Sequence, residues 1–150
     1  MKLVFFNDYR LGVLQNGNVV DAMAALEGSH FHKPQDLMEE VIVGWDRLKP
    51  KIEAAIQGKD GVSIDSVTLR APVPRPPKIL CAAVNYLEFN KRKPAILDAF
   101  LKAPNAVIST GETCVLPPVP ASVFHHEPEL ALVIGKTASN VSQEDALSYV

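Results

Sequence analysis

The stretch FHHEPELALVIGK, residues 124–136, alternates strictly. Read as a strand, it sets Glu127, Glu129, Ala131 and Val133 on one face and Pro128, Leu130, Leu132 and Ile134 on the other. The two carboxylates then project side by side, their Cα atoms about 6.5 to 7 Å apart at roughly 3.3 Å of rise per residue. An apolar run such as Leu130 to Ile134 is expected inside a fold. There, two adjacent unpaired carboxylates would repel one another and carry a large desolvation cost, and a divalent cation between them removes both problems. Hard oxygen donors favour Mg2+, Mn2+ or Ca2+ over zinc. The competing reading is a solvated strand face with two ordinary exposed glutamates.

Upstream, residues 71–77 (APVPRPP) hold four prolines, which disfavours both a helix and a central strand and predicts a stiff extended connector. The connector divides the chain into residues 1–70, a small N-terminal domain, and residues 78–150. In the first part, residues 2–6, 10–14 and 18–22 read as a meander whose second turn, Asn16-Gly17, supplies the left-handed residues of a tight hairpin. From Pro34 the period becomes helical, with Leu37, Met38, Val41, Ile42, Trp45 and Leu48 on one stripe. Pro34 suits a first helical turn, and Pro50 is expected to break the pattern before a second, short helix that ends near Gly58.

Beyond the connector, residues 79–84 read as a buried strand and residues 94–102 as a short helix carrying Ile96, Leu97, Phe100 and Leu101. Residues 106–108 and 114–116 read as short strands around Thr110-Gly111. Ser142 and Asp145 resemble a capping box that opens a helix through Val150; no C-cap follows, and the molecule is expected to continue past that residue. The fold class expected is α+β and β-rich.

Composition narrows the function. Lys plus Arg total 15 against 17 Asp plus Glu, a net charge of −2, with no block of like charge. Nucleic acid and membrane surfaces are therefore not expected as partners. The short apolar run near the N-terminus is broken by Asn7 and Asp8, so neither a signal core nor a membrane span is expected and the cytoplasm is the expected location. Cys81 and Cys114 have no CxxC spacing and read as reduced thiols. His30 and His32, ahead of the helix with no partner nearby in sequence, read as surface histidines.

HHEPELALVIGK resembles the metal-binding strand of the fumarylacetoacetate hydrolase family, in which both Glu of an ExELxxVIG segment are ligands. The resemblance implies Glu127 and Glu129 as metal ligands. KILCAAVNYLEF (78–89) is similar to the family's strand and Asn-Tyr turn, and FLKAPNAVISTGETCVLP (100–117) to its Phe-x-Lys-x-Pro to Gly to Pro stretch. Residues 78–150 thus look like the first part of a catalytic domain of mixed rolled sheets. Implied with it are a bound Mg2+ or Mn2+, a homodimer, and a small 2-oxo acid or β-diketone as substrate. The reactions implied are C–C hydrolysis or decarboxylation through a metal-stabilised enolate, with isomerisation or dehydration as alternatives, often in the breakdown of aromatic compounds.

Two departures qualify what the resemblance implies. Many members carry a His three positions after the Tyr of the Asn-Tyr turn and a Glu three further on, forming a water-activating dyad; here Phe89 and Arg92 occupy those positions. A member that binds metal without turnover is therefore the alternative. Tyr86-Leu87-Glu88-Phe89 fits a Tyr-x-Asp-Phe spacing, which makes Glu88 a further candidate ligand, while a third family carboxylate would fall beyond Val150. His125 and His126 adjoin the Glu pair and are candidates for proton transfer or for positioning. Lys102 is a candidate for a substrate carboxylate, against the plainer reading of a solvated helix end.

Overall fold

The computed structural model describes residues 1–86 and 98–150, so Glu88, Phe89 and Arg92 lie outside the described residues. The chain opens with β1 (Leu3–Phe6), β2 (Arg10–Gln15) and β3 (Asn18–Asp21), the antiparallel meander that the alternation predicts. Asn16 and Gly17 at φ 49° and 81° make the tight turn between β2 and β3. Two short strands that the sequence pattern does not reveal, β4 (Val62–Ser63) and β5 (Leu69–Arg70), close the sheet on either side in the order β4-β3-β2-β1-β5. Asn7 stitches the last pair: its amide donates to the Thr68 carbonyl at 2.8 Å, and its side-chain oxygen accepts from the Thr68 amide at 3.0 Å.

Helices α1 (Pro34–Val43) and α2 (Trp45–Ile56) cover one face of this sheet. Phe5, Leu11, Val13 and Val20 of the strands are buried with Leu37, Met38, Val41, Leu48 and Ile52 of the helices in one core. The break between helices falls at Gly44 and not at Pro50, which sits inside α2. Gly44 suits this junction, since a Cβ there would stand 2.8 Å from the Glu40 carbonyl oxygen, which accepts from the Gly44 amide. Pro50 is exposed, as is Asp46, whose carbonyl loses its helical donor, and burial of Leu48 and Ile52 carries the helix through it.

The proline-rich stretch is pinned to this unit. Ala71 is buried, Val73 packs against the core, and the Arg75 amide donates to Gln35 Oε1 at 2.9 Å. The Ala71 amide donates to Ser109 Oγ at 3.3 Å, which ties the later part of the chain to the end of the first sheet. β6 (Ile79–Ala83) then pairs with β7 (Asp98–Lys102), with Leu80 opposite Leu101 and Cys81 opposite Phe100. Residues 98–102 are thus strand where a helix was expected, because a short apolar run satisfies either period and the β6 ladder decides.

Three further expectations are corrected. Residues 106–108 and 114–116 form no strand: Pro104 opens a 3-10 turn over Pro104–Ala106, Gly111 turns the chain at φ 82°, and neither segment has a pairing partner. After Ser142, whose hydroxyl accepts from the Asp145 amide at 3.1 Å, there is a single 3-10 turn, Ala146–Tyr149, and no α-helix. Residues 124–136 form no helix or strand and belong to neither sheet, with Leu130 78% and Leu132 58% exposed. Alternation prepares a chain for a ladder; it becomes a strand when a neighbouring strand pairs with its N–H and C=O groups in register, and among the described residues no strand does. No helix among the described residues is long and apolar enough to cross a membrane.

Two substitutions test this packing. Pro50→Ala restores an exposed helical N–H and is expected to raise the unfolding free energy by about 1–3 kcal/mol; a urea midpoint at or below that of the parent would contradict it. Ser109→Ala leaves the buried Ala71 amide without its acceptor and is expected to lower stability by about 1–3 kcal/mol, read from the same titration.

Candidate metal centre

The segment that carries the two glutamates leaves a bend near Pro120 and runs without helix or strand to Gly135. Glu127 and Glu129 are exposed, as are His125 and His126. Burial therefore does not demand charge compensation here, contrary to the expectation drawn from the apolar flank. What supports a cation at this place is the donor set: two carboxylates of hard oxygens two residues apart, both exposed.

The segment is held at two points. The Leu130 amide donates to Tyr86 Oη at 3.1 Å, and the Gly135 amide donates to the Tyr149 carbonyl at 2.7 Å. Gly135 also lies against α1, where a Cβ would stand 3.3 Å from Ile42 Cγ2. Tyr86 follows β6 through Val84, whose φ of 50° is a left-handed conformation rare for a β-branched residue. The strand 79–83 and the Asn85-Tyr86 turn are thereby brought to the glutamate segment. Single-sequence reading names the turn but has no signal for this contact, which spans 44 positions.

Other candidates stand apart. Among the described residues, no group of three or more His, Cys, Asp or Glu converges as a metal site. Glu112 is engaged elsewhere, accepting from the Ser109 amide at 2.7 Å. Lys102 lies in β7, its ammonium 5.9 Å from the centre of the Phe100 ring, and not at a helix end. His30 and His32 are exposed ahead of α1, and Cys81 and Cys114 are free thiols.

Residues 78–150 match the family described as fumarylacetoacetate (FAA) hydrolase C-terminal. A maleylpyruvate hydrolase of Aquipseudomonas alcaligenes is 34% identical over an alignment that takes in 100% of this chain and 58% of that protein. The mitochondrial oxaloacetate tautomerase Fahd2a of Rattus norvegicus is 35% identical over 56% of this chain and 28% of its own. The crystal structure of maleylpyruvate hydrolase from Sphingobium sp. SYK-6, in complex with manganese (II) ion and pyruvate, matches with a TM-score of 0.83 and 35% identity. That match covers 99% of this chain and 55% of that one. The chain spans a little over half the length of these two hydrolases. The family match takes in the glutamate segment and the turn that holds it, and the chain belongs to the fumarylacetoacetate hydrolase family.

Proposed function

We propose that this chain forms part of a divalent-metal-dependent enzyme that cleaves a C–C bond of, or decarboxylates, a small 2-oxo acid or β-diketone. Glu127 and Glu129 hold the cation, Mg2+ or Mn2+ with Ca2+ as a further fit, and Glu88 is a third candidate ligand. The observation that carries the reading is the likeness, along nearly the whole chain, to a maleylpyruvate hydrolase holding manganese and pyruvate. The donor chemistry agrees, since two exposed carboxylates suit a hard cation that keeps several waters.

When bound, such a cation acts as a Lewis acid toward the charge that develops on a keto oxygen. The chain's own part is to present Glu127 and Glu129, two residues apart and exposed, to one ion. His125 and His126, beside the pair, are the groups placed to bind substrate or to move a proton. In this reading residues 1–70 are a small N-terminal domain, 71–77 a connector and 78–150 the first part of the catalytic domain. The protein works as a cytoplasmic homodimer, and aromatic-compound breakdown supplies its substrates.

A second reading has specific support. Similarity to oxaloacetate tautomerases, with Phe89 and Arg92 in place of the common dyad, favours an isomerase that moves a proton without breaking a C–C bond. A dehydratase, or a member that binds metal without turnover, would share the same pair of ligands.

Calorimetric titration of the protein with Mn2+ tests the ligand assignment. Glu127→Gln and Glu129→Gln are each expected to weaken binding at least about tenfold. Failure of the parent protein to bind either Mg2+ or Mn2+ would sink the proposal. Turnover assays on maleylpyruvate, other acylpyruvates and oxaloacetate then separate cleavage from tautomerisation, and metal binding with no turnover on any of them selects the non-catalytic member.

A further inference from the structure

We propose that Tyr86 is a positioning residue for the carboxylate pair, a role that rests on Glu127 and Glu129 being the metal ligands. Among the described residues, the stretch 122–134 makes one hydrogen bond, from the Leu130 amide to Tyr86 Oη at 3.1 Å. Its place matters, because the amide of Leu130 lies in the same rigid peptide plane as the carbonyl of Glu129. Holding that plane anchors one side of the Glu129 Cα and so narrows the directions in which the Glu129 side chain can leave the backbone.

Among the described residues, no other hydrogen bond does this. Glu127, Glu129 and Leu130 are exposed, and the next tie among the described residues is at Gly135. An exposed segment outside any helix or strand samples many backbone angles, and ordering it opposes metal binding. Tyr86 removes part of that cost before the ion arrives. The route by which Tyr86 reaches the segment is itself strained: Val84 at φ 50° turns the chain out of the β6 ladder immediately before Asn85 and Tyr86. A left-handed β-branched residue persists where the surroundings hold it, and here it leads directly to the phenol that grips Leu130.

The phenol oxygen accepts, and Tyr86 and Leu130 are both exposed, so removing that oxygen leaves the Leu130 amide to water and the fold intact. Tyr86→Phe is therefore expected to lower Mn2+ affinity about tenfold, as loss of a group that orients a ligand does, while the urea midpoint stays within error of the parent. In the parent, amide hydrogen exchange should show Leu130 protected without metal, and the substitution should abolish that protection. Unchanged Mn2+ affinity in Tyr86→Phe would overturn the proposal, and so would an unprotected Leu130 amide in the parent, a measurement that needs no variant. A parent that binds no Mn2+ would overturn the ligand assignment and the role of Tyr86 with it. The two failures are distinguishable, because in the second the parent itself gives no binding signal.

Discussion

Burial of one face of the five-stranded sheet beneath α1 and α2 is the constraint on which the rest of the structure depends. Phe5, Leu11 and Ile52 are fully shielded from solvent, and each apolar side chain of this size contributes roughly 1.5–3 kcal/mol on leaving water. That burial decides local questions against local preference. It keeps α2 continuous through Pro50, and it holds Gln35 at the surface of the core in the position from which its side chain receives the Arg75 amide.

From there order passes outward by single polar ties. Gln35 catches the proline-rich stretch, Ala71 catches Ser109, Tyr86 catches Leu130, and Tyr149 catches Gly135. The first unit is held by a packed core, whereas the glutamate segment is held by hydrogen bonds at two points. On the proposed ligand assignment the difference has a use: a core gives a rigid support, and a pair of carboxylates tethered at two points can still settle its oxygens on an ion.

What the sequence reveals follows the range of the interactions. The meander, the Asn16-Gly17 turn and the helical stripe from Pro34 are set by neighbours within a few residues, and they are legible. β4 and β5 are two residues long and depend on pairing with β3 and β1, so no periodicity announces them. The strand over 98–102 was open to a helical reading because Phe100 and Leu101 suit both periods until β6 is placed beside them. The glutamates are legible as a pair from their spacing, and their membership of a family from the surrounding residues. Their exposure is not, because it depends on what packs against Leu130 to Ile134, and the Tyr86 tie is not, because it joins residues far apart in the chain.

All five strands of the first sheet, and both helices that cover it, come from residues 3–70. At roughly 5–20 residues per second, a ribosome completes that unit several seconds before it reaches the glutamate segment. The support is thus finished early, with Ile42 already in place on α1 where Gly135 will come to rest. The carboxylates emerge later, ahead of the Tyr149 turn that ties Gly135, onto a sheet and helix pair already complete.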